Sequence, residues 1–596
     1  MKQAIDFETD VLVIGTGPTG AGAALALATY GVRVHAVTQW NWLSNGPRGH
    51  ITNQRTVEIF RDLDIEQEAI QYSTPWELMG DVAFCNRTLA GEELARLRAC
   101  GTGESRRSDH LLASPCTNLD LPQIYLEPIL VNNAAARGAS FSFNTEYLDH
   151  EQDDSGVTVR LKDRLSGREY LVRAKYMIGA DGGRSRIAEQ LGLPFEGHMA
   201  RAATAYVQFE ADLSRHVAHR PSIIHCVVSP DASYGEIGLA LFRAIRPWNK
   251  WIIGWGFDMA TEPDFTEETL KARVRSLVGD PELDVTIKGT STWYVNQSYA
   301  TTYAKGRVFC GGDAVHRHPP TNGLGTNTSM QDAYNLAWKL AFVLKGFADE
   351  TLLESYSVER APIGRQIVLR ANKSRKEFAP LQDAFRAPDG DIPAKLRNPN
   401  GEGVAVREAL AQALALKLYD FDTHGVELNQ RYTSSAVVVD TELGEEKWER
   451  DPELYAQATT RPGAKLPHTW LVNAKGHRIS TLDLVGKGKF SLVTGLSGSA
   501  WVNAARRLNL PYLRTVVIGD RNCADLYCTW AQLREIDEAG ALLVRPDGYI
   551  AWRNAGEAVD EADAWARLSA AVTAILGQPA VSGESANGDV KTQDAQ

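Results

Sequence analysis

A mixed α/β (α+β) architecture with a Rossmann-like nucleotide-binding unit near its N-terminal end is predicted by three strand–turn–helix sites. In the first, the apolar run Asp10-Val11-Leu12-Val13-Ile14 enters Gly15-Thr16-Gly17-Pro18-Thr19-Gly20 and a small-residue helix from Ala21 to Ala28, with a second strand at 32–37. This βαβ setting lifts a G-x-G-x-x-G pattern above a chance match and points to a dinucleotide. The second site is Met177-Ile178-Gly179-Ala180-Asp181-Gly182-Gly183-Arg184-Ser185-Arg186. In the third, Val308-Phe309-Cys310 enters Gly311-Gly312-Asp313, and an irregular loop leads to a helix with Ala333, Leu336, Ala337, Leu340 and Ala341 on one face. A loop at a helix N-terminus offers unpaired N–H groups to an anion. Asp313 suits the opposite task, accepting hydrogen bonds from sugar or ribityl hydroxyls. A reduced flavin, with hydroxyls along its chain and a negative N1–C2=O edge, needs both.

With 596 residues the chain exceeds one core, so about three domains are expected. Its 44% hydrophobic and 23% charged composition is that of a globular protein, and a net charge of -11 without a basic block argues against nucleic acid. The first residues show no apolar export segment, and no run approaches the roughly 18 apolar residues of a membrane-spanning helix. Seven scattered cysteines lack zinc or C-x-x-C spacing and fit free thiols in the cytoplasm. His316 and His318 form an H-x-H without a third ligand, so no metal is expected.

Along the chain, the acid normally found at the end of the second strand is replaced by Thr38 or Gln39, whose hydroxyl or amide can still meet a ribose. Arg48 is placed to bind a pyrophosphate bidentately. His50 has the ordinary pKa for proton transfer near neutrality; a turn histidine bonded to backbone is the alternative. Asp120 could orient a histidine or cap the helix that follows, and Gln123 could bond a ribityl chain. From 145 to 172 the alternation reads as an antiparallel meander. The stretch 200–301 is β-rich, with strands at 223–228, 237–242 and 251–257, and suits one wall of an apolar pocket. Arg243 or Arg246 could approach a cofactor or face solvent. Prolines and glycines between 373 and 404 read as a linker, and a helix then strands follow.

At this point the sequence resembles the class A FAD-dependent aromatic hydroxylases. Their three fingerprints stand here as the Gly15–Gly20, Asp181-Gly182 and Gly312-Asp313 motifs. Within that group it is most similar to the 2,4-dichlorophenol and 2-hydroxybiphenyl hydroxylases, through Gly49-His50-Ile51-Thr52-Asn53-Gln54-Arg55-Thr56, Arg246-Pro247-Trp248-Asn249-Lys250-Trp251 and the segment 312–325. The resemblance implies a PHBH-type FAD-binding domain (1–190 and 301–375), a substrate-binding β-sheet domain (191–300), a linker (376–405), a C-terminal thioredoxin-like domain lacking C-x-x-C (406–577) and a disordered tail (578–596). It implies FAD held by Gly15, Gly17, Pro18, Thr19, Gly20, Thr38, Gln39, Arg48, Gln123, Asp181, Gly182, Asp313, Pro320, Gly323, Leu324, Gly325, Thr326 and Asn327. It also implies NAD(P)H as a transient reductant, O2 as co-substrate and a homodimer. The activity implied is insertion of one oxygen ortho to the hydroxyl of a small phenolic or aromatic substrate via a flavin C4a-hydroperoxide. His50 is then the base, Asp120 its orienting partner, Arg243 a cofactor-side cation and Pro319 a rigid wall beside the flavin. Two other readings stay open: a same-fold hydroxylase tailoring a larger aromatic, polyketide or pyridinol compound, and a flavin-binding redox sensor or scaffold without oxygenation.

Overall fold

The computed structural model describes residues 4–199, 202–229, 239–258, 260, 263–386 and 391–578. Ile237 and Gly238 of one expected strand, residues 387–390 of the expected linker and the expected tail at 579–596 lie outside the described residues.

Apolar residues on consecutive positions make the first strand, Phe7–Ile14, in which Val11, Leu12 and Val13 have no exposure. Such a run suits a strand covered on both faces. It pairs in parallel with Val34–Val37 on one side and Glu169–Gly179 on the other, and Glu169–Gly179 pairs in parallel with Val308–Cys310. The register sets Ile14 beside Gly179, and Gly179 beside Cys310. The three strand–turn–helix sites therefore open at the same edge of one sheet, beyond the carboxyl ends of adjacent parallel strands, where ligands of open α/β sheets bind. The helix Pro18–Thr29 packs against the long helix Leu324–Leu344 through small residues. The meander forms as expected: Thr145–Asp153, Gly156–Asp163 and Glu169–Gly179 pair antiparallel and hang on the same sheet.

A second sheet has seven strands. Its centre is Ala203–Glu210, Lys250–Phe257, Ala240–Arg246 and Ser222–Val228. Two of its strands, Asp81–Asn86 and Glu93–Arg98, come from before the stretch read as the substrate domain and complete one edge. Strand alternation divides the faces. Val207, Phe209, Phe242, Trp251 and Ile253 pack beneath the helix Glu267–Val278. Phe84, Cys226 and Leu241 point the other way, towards Ile51.

The expected linker is a correction. Among its described residues the stretch 376–405 carries the helices Ala379–Ala384 and Ile392–Arg397 and the start of Gly401–Leu416. Phe378, Leu381, Phe385 and Ile392 are buried with Phe84 and Cys226 against the second sheet, and that burial offsets the entropy of ordering a segment rich in proline and glycine. Beyond it, Phe490–Gly495 and Leu513–Ile518 pair in parallel around the helix Ser499–Leu508. Ala541–Val544 and Ile550–Asn554 then add antiparallel strands, and Glu561–Leu576 packs on Ser499–Leu508. This is a thioredoxin-like arrangement. Among the described residues no helix is long and apolar enough to cross a membrane.

Candidate active site

The dinucleotide turn is built by close approach. Gly15 has φ +105°, and a Cβ there would stand 2.1 Å from the Ala180 carbonyl oxygen, so only glycine lets the first two motifs touch. At Gly17 the situation reverses. A Cβ would meet only a Glu127 carboxylate oxygen at 3.9 Å, which leaves room for a ligand. Gly17 caps Pro18–Thr29 without a side-chain acceptor, and Gly323 does the same for Leu324–Leu344. Both helix N-termini thus keep free donors and the positive dipole end for an anion. Asp313 is exposed, while the half-buried Asp181 accepts from Ser185 Oγ at 2.6 Å. Two uncapped helix ends and a free carboxylate at one sheet edge match the phosphates, the N1–C2=O edge and the hydroxyl chain of FAD.

Other residues expected at the cofactor have partly different duties. The Gln123 amide accepts from Gly49 N–H at 3.3 Å and donates to Glu127 Oε1 at 2.6 Å. Glu127 Oε2 in turn accepts from Ser44 N–H at 2.7 Å, so this pair fixes the loop that carries the exposed Arg48. Burial raises the Glu127 carboxyl above its ordinary value. The Asn327 side chain joins two loops: Oδ1 accepts from Asn53 N–H at 2.9 Å, and Nδ2 donates to the Ile51 and Gly323 carbonyls. Thr38 is buried and Gln39 exposed at the end of Val34–Val37. Thr19 lies against Gly312, which links the first and third motifs. Pro319 is buried and Pro320 exposed, and His318 Nδ1 lies 2.7 Å from the Pro319 carbonyl.

His50, Asp120 and Arg243 come together although they are far apart in sequence. Ile51–Thr52 pairs with Leu119–Asp120 as a two-residue antiparallel ladder, extended by Leu121 N–H to the His50 carbonyl at 2.7 Å. Arg243 projects from the second sheet on the face of Leu241, two residues away, and Nη2 donates to Asp120 Oδ1 at 2.9 Å. Asp120 Oδ2 accepts from Thr74 Oγ1 at 2.8 Å. His50 Nδ1 stands 3.5 Å from Asp120 Oδ1, and neither ring nitrogen makes a hydrogen bond of regular geometry, although Asp120 and the Pro47 carbonyl both lie within electrostatic reach. Burial and the Arg243 charge push His50 down to about 4, against the pull of Asp120 and the Pro47 carbonyl, so the imidazole is not poised near neutrality as its ordinary value suggested. Burial opposes ionisation of Asp120 too, yet Arg243 and His50 hold its carboxyl well below the ordinary range. The site is a neutral imidazole with a free lone pair beside an ion pair. Arg246 does not share it: its guanidinium lies 3.7 Å above the Tyr125 ring and donates to the Tyr72 carbonyl.

Sequence reading missed Thr74, Glu127 and Glu427. Burial and the charge of Asp422 push the Glu427 carboxyl up to about 8, and Asn53 lies against it. Thr74 meets Asp120 and Glu127 meets Ser44 only through the fold, 46 and 83 residues away, and the burial of Glu427 is a tertiary effect that no local pattern marks. His316, by contrast, is tied to Asp332 at 2.8 Å with no exposure on either side chain.

Comparison with known proteins agrees with this geometry. The family profile described as FAD binding domain matches residues 8–371, and the profile described as aromatic-ring hydroxylase, C-terminal, matches residues 459–579. The chain is 49% identical over 588 residues to 2,4-dichlorophenol 6-monooxygenase of Cupriavidus pinatubonensis, covering 96% of this chain and 97% of that one. It is 46% identical to phenol 2-monooxygenase of a Pseudomonas species, over 92% and 90% of the two chains. The crystal structure of the flavin-dependent monooxygenase PieE in complex with FAD and substrate superposes with a TM-score of 0.91 at 42% identity, covering 97% of this chain and all of that one. With the nucleotide cradle, the second sheet and the C-terminal unit all matched, the chain belongs to the family of FAD-dependent aromatic-ring hydroxylases, a group of flavin monooxygenases.

Proposed function

We propose that this enzyme hydroxylates a phenol ortho to its hydroxyl group, with NAD(P)H as reductant, and that it works as a homodimer. The observation that carries the reading is His50, a buried neutral imidazole with both nitrogens unbonded, next to Asp120 and Arg243. A phenol has an ordinary pKa near 10, and losing its proton makes the ring a stronger nucleophile. With Nδ1 turned to Asp120, His50 Nε2 is the atom offered to the substrate hydroxyl. The proton passes from the phenol oxygen to His50 Nε2. Asp120 favours the imidazolium so formed, and the Arg243 guanidinium favours the phenolate left behind.

Gly15, Gly17, Pro18, Thr19, Gly20 and the N-terminus of Leu324–Leu344 would hold FAD, with Asp181 and Asp313 as acceptors for its hydroxyls. Thr38, Gln39 and Arg48 would meet the adenosine and pyrophosphate end; Gln123 supports Arg48's loop. When bound, FAD supplies the reduction and activation of O2. Pro319 and Pro320 stiffen the loop beside it, and the apolar face of the second sheet keeps water from the reacting ring. One G-x-G-x-x-G exists in the sequence, so NAD(P)H is proposed to visit rather than to own a Rossmann site. The names of two relatives, a dichlorophenol and a phenol monooxygenase, support a phenol as substrate.

The test is NAD(P)H and O2 consumption by the FAD-loaded enzyme across substituted phenols, with products weighed by mass spectrometry. Stimulated consumption with a product heavier by one oxygen is expected. Consumption without oxygen transfer to any member of the panel, or no stimulation at all, overturns the phenol assignment.

A further inference from the structure

The third motif is held from behind by a buried relay that reaches the far end of the chain. Asp332, on the helix Leu324–Leu344, accepts at Oδ2 from the Gly312 backbone N–H at 3.0 Å and pairs there with His316 Nε2 at 2.8 Å. These two contacts bracket Asp313, whose carboxylate faces outward. Asp332 Oδ1 accepts from Arg360 Nε at 2.7 Å. Arg360 Nη1 then donates to Gln430 Oε1 and to the Tyr432 hydroxyl, both at 2.9 Å. Gln430 also accepts from the Tyr549 hydroxyl at 3.3 Å, and the Tyr432 and Tyr549 rings pack at a tilt of 32° with centroids 4.3 Å apart.

The neighbouring residue on the helix Glu354–Lys376, which carries Arg360, completes the link. Glu359 accepts from Arg545 Nη2 at 2.9 Å and from Lys339 Nζ at 2.8 Å, while Arg545 Nε also donates to Asp547 Oδ1 at 3.0 Å. Asp332, Arg360, Glu359, Arg545 and Lys339 all have side chains with no exposure. In such a dry setting a carboxylate keeps its charge and pose only while its cation is held in place. Glu359 and Arg360, adjacent on one helix, therefore couple the C-terminal third to the loop that presents Asp313.

We propose that the chain beyond residue 429 positions the flavin-binding loop 311–327, acting through Tyr432, Gln430 and Tyr549 on Arg360 and Asp332. These are positioning residues: none of them touches the face that Asp313 presents. The inference rests on FAD binding and not on the choice of substrate, so failure of every phenol to turn over would leave it standing.

The experiment compares full-length wild type with Asp332→Asn, Tyr432→Phe, Tyr549→Phe and the double variant Asp332→Asn/Tyr432→Phe. FAD dissociation constants are read by flavin fluorescence, the bound flavin by its visible spectrum, and the apoprotein by thermal unfolding. Asp332→Asn is expected to weaken FAD at least tenfold, and Tyr432→Phe and Tyr549→Phe, which keep both rings, about threefold each. The double variant should be no worse than Asp332→Asn alone, because both act through one contact. If Tyr432→Phe and Tyr549→Phe lower the melting temperature but leave FAD affinity and spectrum within twofold of wild type, the C-terminal third only stabilises and the proposal fails. Strict additivity in the double variant would overturn it as well. Should Asp332→Asn not fold, the two tyrosine variants decide the question by themselves.

Discussion

The buried charged clusters at Glu359 and at His50 are built to opposite rules. Around Glu359 every charge is spent. Its two oxygens serve Arg545, Lys339, Asn335 and Ser434, and Arg545 also pairs with Asp547. Around His50 bonding is left incomplete. Asp120 is satisfied by Arg243 and Thr74, but both imidazole nitrogens are buried and unbonded. Burying an unbonded polar group costs free energy, and a hydrogen-bonding ligand at His50 would recover it. The saturated cluster ties Arg545 and Asp547 to the helices that carry Glu359 and Lys339; the unsaturated one is where the proposed phenol hydroxyl would be held.

The comparison breaks most visibly at Glu359. Replacement by alanine strands Arg545 and Lys339 in a dry interior, and loss of one partner from such a buried set costs about 3–5 kcal/mol. Chemical denaturation of FAD-free protein should show this as a lower midpoint. A midpoint unchanged from wild type would mean that the cluster contributes no cohesion. At the other cluster, His50→Ala should leave stability near wild type or raise it, since an unsatisfied group is removed. Hydroxylation of a responsive phenol should fall on the order of 100-fold, the lower range for loss of a general base, with FAD retained. Turnover near wild type at saturating phenol, with an unchanged pH profile, would remove His50 as the base. Arg243→Gln sharpens the contrast further. It takes away a charge that depresses His50, so the imidazole should titrate above its present value of about 4 when followed by NMR, while kcat/KM drops about tenfold for want of the cation beside the phenolate. An imidazole that still titrates at about 4 would show burial alone to be the cause.

How much of this could be seen in the sequence differs between the clusters for a physical reason. The three glycine motifs were legible because their backbones demand particular residues: Gly15 at φ +105° admits no Cβ, and the motifs meet because their strands are neighbours. His50 and Asp120 stood out as chemistry, but their meeting depends on a two-residue ladder across a long gap, and Arg243 arrives from another sheet. The Glu359 cluster left no trace. Its partner Arg545 is 186 residues away, and a glutamate on a helix reads as a solvated face until the helix is packed. The segment after 376 misled in the other direction. Its prolines and glycines signal an open linker, whereas Phe378, Leu381, Phe385 and Ile392 are buried against the second sheet.

The smallest expected effect separates the clusters by pH. His50 is held at about 4 from an ordinary 6.5, as are His225 and His318. Between pH 6.5 and 4 the unfolded chain binds protons that these residues refuse in the folded state, so stability present above pH 6.5 is lost as pH falls towards 4. Each such histidine contributes at most about 1.4 kcal/mol per pH unit. Asp332 and Glu359 behave otherwise: despite burial, Arg360 and His316 hold the first, and Arg545 and Lys339 the second, below ordinary values of 3.8 and 4.5. Their contribution is complete above those values and disappears only at more acidic pH. Acid unfolding should therefore begin with the histidines and finish with the carboxylates. His50→Gln should flatten the stability profile between pH 6.5 and 4 and leave the more acidic limb unchanged, whereas Asp332→Asn should flatten the acidic limb alone. Measured free energies of unfolding across both windows test this directly. If His50→Gln changed the limb below pH 4 instead, its titration would belong with Asp120, and the two clusters would not be separable by protonation.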